Sequence, residues 1–145
     1  GFLVTGLVLS TSRFFKLDRK SLFDIGYAEA LFIGTIQGIA VFPGVSRSGM
    51  TITAGLASGC KPEPAAKFSF LLSLPAILGA LVLDFKEMGT LQSDYLLIYL
   101  AGMLVAAVIA FISIKFLVAI TKKWKLHYFA PYCIIIGILL FILSK

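Results

Sequence analysis

A short polar segment within apolar sequence carries the residues best suited to chemistry. Residues 37–51 read QGIAVFPGVSRSGMT, and Ser46, Arg47, Ser48 and Thr51 lie close together in it. An unpaired charge in hydrocarbon costs at least a few kcal/mol, and irregular backbone is tolerated there only against protein or water. Arg47 therefore predicts a bound polar group, and its planar guanidinium suits two phosphate oxygens at once.

The same segment predicts a break between two helices. Pro43 cannot donate a backbone hydrogen bond and Gly44 tolerates positive φ, so the incoming helix is predicted to stop near Phe42. The next helix is predicted to begin between Ser46 and Ser48, with a serine hydroxyl as its N-cap. Free N–H groups and the positive end of the helix dipole make such a start an anion-binding site.

Spacing groups the side chains of this second helix. Arg47, Ser48 and Thr51 share one helical face, so we expect them to hold a single anionic group together with Ser46. In the alternative interpretation, the hydroxyls bond back to carbonyls one turn earlier. Gln37, on the incoming helix, either binds substrate or joins two helices through a polar contact.

Composition places the chain in a membrane. Of its 145 residues 59% are hydrophobic and only 14% are charged, which is typical of an integral membrane protein rather than a soluble domain. The net charge of +6 does not indicate nucleic acid binding, because the basic residues cluster between apolar segments. They are better interpreted as cytoplasmic topology signals. The two clusters are Arg13, Lys16, Arg19 and Lys20, and Lys122, Lys123 and Lys125.

Other reactive residue types have structural interpretations. Cys60 and Cys133 lack the spacing of a metal site and are predicted to be ordinary buried thiols without a disulfide. His127 lies in an aromatic and basic stretch typical of a membrane interface, and Glu29 lies near a segment end. We therefore predict that neither is catalytic.

The apolar pattern predicts an all-α integral membrane protein, with transmembrane helices and one re-entrant helix-turn-helix. Each arm of the helix-turn-helix is too short to cross a bilayer, which takes about twenty residues. The predicted parts are residues 1–12 as the tail of a truncated helix, 25–60 as the re-entrant hairpin, and 64–83, 95–120 and 127–144 as transmembrane helices.

Two motifs resemble a known family. Residues 43–51, PGVSRSGMT, resemble the Pro-Gly-x-Ser-Arg-Ser-x-x-Thr signature of the undecaprenyl-diphosphate phosphatases, the bacitracin-resistance family. Residues 68–75, FSFLLSLP, match a Phe-Ser-Phe-Leu-Leu-x-x-Pro run of the same family. The resemblance continues along nearly the whole chain.

The resemblance implies an activity and a place. It implies hydrolysis of undecaprenyl diphosphate to undecaprenyl phosphate and inorganic phosphate, which recycles the lipid carrier of peptidoglycan synthesis and confers bacitracin resistance. The implied location is the bacterial inner (plasma) membrane, with several membrane passes. Arg47 is expected to clamp the diphosphate, with Ser46, Ser48 and Thr51 as hydroxyl donors and the Gly44 backbone shaping the turn.

The chain resembles the C-terminal half of an inverted-repeat fold, so a missing N-terminal half is an expected partner. That half would supply a Glu-rich motif, a Ser and a His, whereas the motif's first Glu aligns with Gln37 here. The other expected partners are the polyprenyl diphosphate lipid and the bilayer, and no nucleic acid. No metal site is predicted in the chain itself, although Mg²⁺ or Ca²⁺ can bridge diphosphate oxygens.

Other functions fit some of the same residues. Half of an inverted-repeat transporter or flippase would bind a phosphorylated lipid at this site without cleaving it. The acid-phosphatase-like lipid phosphatases also have a Ser-Arg motif, but theirs needs a His several residues later, where this chain has Thr53. A purely structural four-helix module is disfavoured by Arg47. Positive-inside counting opens the hairpin toward the cytoplasm, whereas the resemblance implies processing at the outer face.

Overall fold

The computed structural model describes residues 1–15, 20–87, 96–123 and 126–143, with residues 85–87 described by their backbone alone. Within these ranges the chain is helical and forms no β-strand, which confirms the predicted all-α class. The α-helices are α1 (Phe2–Thr11), α2 (Tyr27–Ile39), α3 (Arg47–Ala57), α4 (Pro62–Glu87), α5 (Leu96–Lys122) and α6 (Ala130–Leu143).

Among the described residues, three helical stretches are long and apolar enough to cross a membrane: Pro62–Asp84, Leu96–Lys122 and Leu126–Leu143. The most apolar window of the second stretch has none of its residues buried inside the protein. Its side chains therefore face the surroundings of the chain, and apolar side chains are stable there only against lipid or further protein. The chain is a membrane protein.

The helix break lies where Pro43 and Gly44 predict it. Gly44 has a φ of +81°, a conformation that glycine adopts without steric cost. Helix α2 ends at Ile39, a little before the predicted stop at Phe42. The α conformation is disfavoured for the residue before a proline, so Phe42 already belongs to the turn. Helix α3 then begins with Ser46 as its N-cap, which confirms the predicted start.

Helix α3 is the central element of the fold, because it packs against α1, α2 and α4. Its residues 49–56 are all buried. Close approach to α4 depends on Gly55, where an added Cβ would lie only 3.0 Å from the Cβ of Ala65. Small residues at helix contacts are the usual means of close packing in membranes. Ile52 and Leu56 of α3 complete the core on this side.

Helix α1 packs along α6. A Cβ added to Gly6 would collide with Ile134, and one added to Gly137 would collide with Leu3. Two glycines facing the partner helix therefore let these backbones approach closely, and α1 in turn places Thr5 beside the start of α3.

Ion pairs fix the polar ends of several helices. Glu63 at the start of α4 pairs with Lys67 at 2.9 Å and with Lys122 at 3.0 Å, so the end of α5 lies beside the start of α4. Lys20 pairs with Glu29, and its backbone bonds on both sides of Cys60. Of the basic clusters, Lys16, Arg19 and Lys125 lie outside the described residues.

Candidate functional site

The start of α3 opens onto a pocket of about 300 Å³. Four of the six predicted site residues contribute to it, and we call it the arginine pocket. Its lining comprises Gln37 from α2, Arg47, Ser48 and Thr51 from α3, and Ser69, Phe70, Ser73 and Ile77 from α4. Helices α2, α3 and α4 therefore build the pocket together.

Arg47 gives the pocket its charge. It is the first residue of α3, its side chain is exposed, and it makes no ion pair with any described residue. No acidic residue occupies the first turn of α3. The positive end of a helix dipole attracts anions, and here a full positive charge adds to it without a neutralising carboxylate. The arrangement favours a bound anion with at least two oxygens.

Ser48 lies beside Arg47 and lines the same pocket. Its side chain is half-buried, and no hydrogen bond from its hydroxyl is found within the described residues. A serine hydroxyl can donate one hydrogen bond, so Ser48 can serve the same anion as Arg47.

Ser46 lies on the other side of the α3 start. Its hydroxyl accepts a hydrogen bond from the Gly49 N–H at 3.1 Å, and its own N–H donates to the Thr5 hydroxyl at 3.0 Å. A capping hydroxyl must turn back toward the helix backbone, and this separates Ser46 from the arginine pocket. Ser46 lines a second, largely apolar cavity of about 180 Å³ between α1, α3, α5 and α6, which Ser48 also borders.

Thr51 lies at the base of the arginine pocket, with 1% of its surface exposed. Its hydroxyl is 2.9 Å from the Arg47 carbonyl oxygen and 3.3 Å from that of Ser48. The Ser69 hydroxyl is 2.5 Å away. Thr51 therefore has internal partners for its hydroxyl, and the back-bonding that the sequence left open is present.

The structure brings Gln37 to the pocket but leaves Gly44 outside it. The Gln37 side-chain amide donates to the Leu72 carbonyl at 3.2 Å, so it joins α2 to α4 and lines the arginine pocket as well. Gly44 belongs to the turn, where a Cβ would lie 3.4 Å from the Phe2 ring. Its positive φ fits the predicted role of shaping the turn.

Four lining residues, those from α4, were not predicted as site residues. Ser69 and Ser73 are four residues apart, a spacing that puts both hydroxyls on one helical face. Two serines on one face within the apolar run 68–75 were the signal that could have identified them. Nothing in the sequence alone indicates that α4 faces the start of α3.

The residue types excluded as catalytic lie elsewhere. Within the part of the chain that the structure describes, no carboxylate or imidazole lines the arginine pocket. His127 lies in a short 3₁₀ turn before α6, its ring 4.6 Å from that of Tyr128, and its buried Nδ1 has no hydrogen-bond partner among the described residues. Glu29 pairs with Lys20, and the hydrogen bond from that ammonium lowers the pKa of the carboxyl. Cys60 and Cys133 are buried.

Comparisons with known proteins identify the family of the chain. Residues 1–139 match the family model described as bacitracin resistance protein BacA. The undecaprenyl-diphosphatase of Methanosphaera stadtmanae is 44% identical over 142 residues, which cover 98% of this chain and 51% of the relative. The undecaprenyl-diphosphatase of Carboxydothermus hydrogenoformans is 40% identical over 147 residues, covering 99% of this chain and 56% of the relative.

Coverage of the relatives is uneven. The undecaprenyl-diphosphatase of Methanothermobacter thermautotrophicus is 42% identical, with 95% of this chain and 78% of the relative covered. For most relatives, however, the chain spans about half of their length. No solved structure matches the chain significantly. A family match over residues 1–139, with identities of 40% and more, shows that this chain belongs to the bacitracin resistance protein BacA family.

Proposed function

We propose that the chain is the diphosphate-binding half of a membrane phosphatase that hydrolyses undecaprenyl diphosphate to undecaprenyl phosphate and inorganic phosphate. The observation that carries the proposal is Arg47 at the start of α3, exposed in a pocket and unpaired among the described residues. The names of the relatives supply the substrate, because each is called an undecaprenyl-diphosphatase.

Charge and geometry define what these residues do. The guanidinium of Arg47 binds two oxygens of the diphosphate, and Ser48 donates to a third. Negative charge builds up on the phosphoryl oxygens during transfer. Arg47 and the positive end of the α3 dipole stabilise this charge, and both are in position before the reaction begins. Ser46 holds α3 in the required orientation through its cap, and its remaining hydroxyl proton is its only means of direct contact with substrate.

The reaction needs groups that the arginine pocket does not contain. Water attacks the terminal phosphorus, or a nucleophilic side chain does so and water then hydrolyses the phosphoryl-enzyme; in both cases the bond from that phosphorus to the bridging oxygen breaks, undecaprenyl phosphate leaves, and inorganic phosphate is released. A base must take the proton of the nucleophile. We assign these tasks to the N-terminal half of the fold, whose expected Glu-rich motif, Ser and His would face Arg47. The two halves would then form one inverted repeat.

A divalent cation, Mg²⁺ or Ca²⁺, enters the proposal only through the substrate. Such cations prefer oxygen ligands, and the pocket lining offers hydroxyls and one amide but no carboxylate. No group of three His, Cys, Asp or Glu suited to a metal occurs among the described residues. No step proposed here therefore depends on a metal bound by the chain itself.

The proposed substrate determines where the enzyme would act and what its activity would confer. The enzyme would be a multi-pass protein of the bacterial inner membrane, where it returns the lipid carrier to peptidoglycan synthesis. Bacitracin sequesters the diphosphate form of that lipid, so faster hydrolysis would confer resistance.

The decisive experiment measures phosphate release from undecaprenyl diphosphate in detergent micelles, by this chain together with the N-terminal half of a family member. Arg47→Ala should lower the rate at least a hundredfold, since one preorganised donor to developing charge contributes about that much. Lys61→Ala is the matched control, because it removes an exposed positive charge outside the arginine pocket.

Two results would overturn the assignment. If the Arg47→Ala variant released phosphate as fast as the parent chain, the arginine pocket would have no role in the reaction. Saturable binding of the diphosphate lipid with no release from the paired halves would favour the transporter, which would use the same anion site without hydrolysis.

A further inference from the structure

A pair of buried hydroxyls connects α3 to α4 at the base of the arginine pocket. Ser69 of α4 is 4% exposed, and its hydroxyl oxygen lies 2.5 Å from that of Thr51. Both residues line the pocket, so the pair is the point where α4 enters the site. Such a short contact between two hydroxyls requires that one of them donates to the other.

Counting protons shows that this pair can exist in two arrangements. Each hydroxyl has one proton, yet the Thr51 hydroxyl has three oxygens within reach, those of Ser69 and of the Arg47 and Ser48 carbonyls. In the first arrangement Ser69 donates to Thr51 and Thr51 donates to the Arg47 carbonyl. In the second, Thr51 donates to Ser69, and the Ser69 proton is free to point into the pocket.

The second arrangement costs little when an anion is present. The Arg47 carbonyl accepts the main-chain bond expected within α3, so it keeps a partner when Thr51 turns away. The freed proton of Ser69 then meets a phosphate oxygen, and hydrogen bonds to charged acceptors are roughly twice as strong as those between neutral groups. An anion beside Arg47 therefore selects the arrangement in which Ser69 donates outward.

We infer that Ser69 is a further substrate-binding residue, which donates to a phosphate oxygen while Thr51 donates to it from behind. This inference rests on the proposed binding of a diphosphate beside Arg47. It reassigns the role expected for Thr51, whose hydroxyl acts through Ser69 rather than on the substrate directly. The two hydroxyls work as one unit: loss of Ser69 removes the donor to the phosphate, and loss of Thr51 removes the group that orients that donor.

Ser73 has a different position one turn further along α4. Its hydroxyl donates to the Phe70 carbonyl at 2.7 Å, and no hydrogen bond between Ser73 and a second hydroxyl is found among the described residues. Lining the pocket is therefore not sufficient for the role given to Ser69, which depends on the contact with Thr51.

The test measures the affinity of the 145-residue chain, in detergent micelles, for farnesyl diphosphate and for uncharged farnesol. Ser69→Ala should weaken diphosphate binding about tenfold, the usual effect of losing a hydrogen bond to a charged group. Thr51→Val should weaken it by a smaller factor, because Ser69 keeps its own proton and loses only the partner that orients it, and the double variant should bind no more weakly than Ser69→Ala alone. Farnesol binding should stay within error, which excludes a general packing defect. Ser58→Ala, whose hydroxyl bonds back to the Ala54 carbonyl outside the pocket, is the control.

Four results would contradict the role inferred for Ser69. Additive losses, or equal losses for farnesyl diphosphate and farnesol, would overturn the inference, because the pair would then contribute packing alone. Undiminished diphosphate binding by Ser69→Ala would also overturn it, while a loss with Arg47→Ala in the same assay would leave the proposed function intact. If the parent chain and Arg47→Ala bind farnesyl diphosphate equally, the proposed site fails and the inference fails with it.

Discussion

Some basic residues of this chain pair with carboxylates, and Arg47 instead faces a pocket. Arg47 lacks an ion-pair partner among the described residues, whereas Lys20, Lys67 and Lys122 pair with carboxylates. A paired cation holds elements together, and an unpaired one at a helix start is available to a ligand. The distinction lies in which carboxylates the fold brings near, not in the residue type.

The pair of Lys20 and Glu29 makes a prediction about pH. Its hydrogen bond lowers the pKa of Glu29 below the ordinary 4.5 and raises that of Lys20 above the ordinary 10.5. The stability due to Glu29 is thus complete above pH 4.5 and is lost as the pH falls through the lower pKa of the folded state. The stability due to Lys20 is complete below pH 10.5 and is lost as the pH rises through the raised value.

Unfolding midpoints measured as a function of pH in detergent test the contribution of the Lys20–Glu29 pair to stability. The difference between the parent chain and Glu29→Gln should be constant from about pH 5 to pH 10 and should shrink toward both ends. A difference that grows on acidification would contradict the pairing.

At the scale of elements, the start of α3 does two things at once. The Ser46 hydroxyl accepts a hydrogen bond from the Gly49 N–H, and the Ser46 N–H donates to the Thr5 hydroxyl of α1, so this residue also fixes the helix against its neighbour. Arg47, the next residue, points into the arginine pocket. Two adjacent residues therefore have different roles: Ser46 holds the helix in place, and Arg47 is available to bind the ligand.

Ser46→Ala should lower the free energy of unfolding by about 1 kcal/mol, the typical cost of losing an N-cap hydroxyl. Ser46→Asp should restore stability, because aspartate caps as well and places a negative charge at the positive end of the helix. The same aspartate should weaken diphosphate binding, since it adds a competing negative charge next to Arg47. Chemical unfolding and ligand titration of both variants in one detergent measure the two effects. Equal stability of Ser46→Ala and the parent chain would show that the cap contributes nothing.

Local chemistry explains which features of this element were predictable. The break at Pro43 and Gly44 and the cap at Ser46 depend on residues within one turn of each other, and the structure confirms both. The grouping around Arg47 was only partly predictable. Helical spacing identifies a shared face, but the arrangement of α4 against α3, which depends on Gly55 meeting Ala65, decides that Ser69 joins the pocket.

Across the whole molecule, apolar surface is the dominant feature. Helix α5 spans Leu96–Lys122, and its most apolar window has none of its residues buried inside the protein. Leu97 and Ile109 are 79% and 58% exposed. A soluble domain rarely exposes a continuous apolar surface of this length, so lipid or the rest of a longer protein must cover it.

Placing a charge on α5 tests its surroundings. Ile109→Lys puts an ammonium near the middle of the helix, where a lysine costs about 3 kcal/mol in insertion experiments. Leu97→Lys introduces the same side chain near the helix end, where it can reach the interface and should cost far less. Membrane insertion of both variants, measured by glycosylation mapping in microsomes, should fall sharply for Ile109→Lys alone. Equal insertion of the two variants would mean that water or a protein carboxylate lies against the middle of α5. The exposed face of α5 would then not be in contact with lipid.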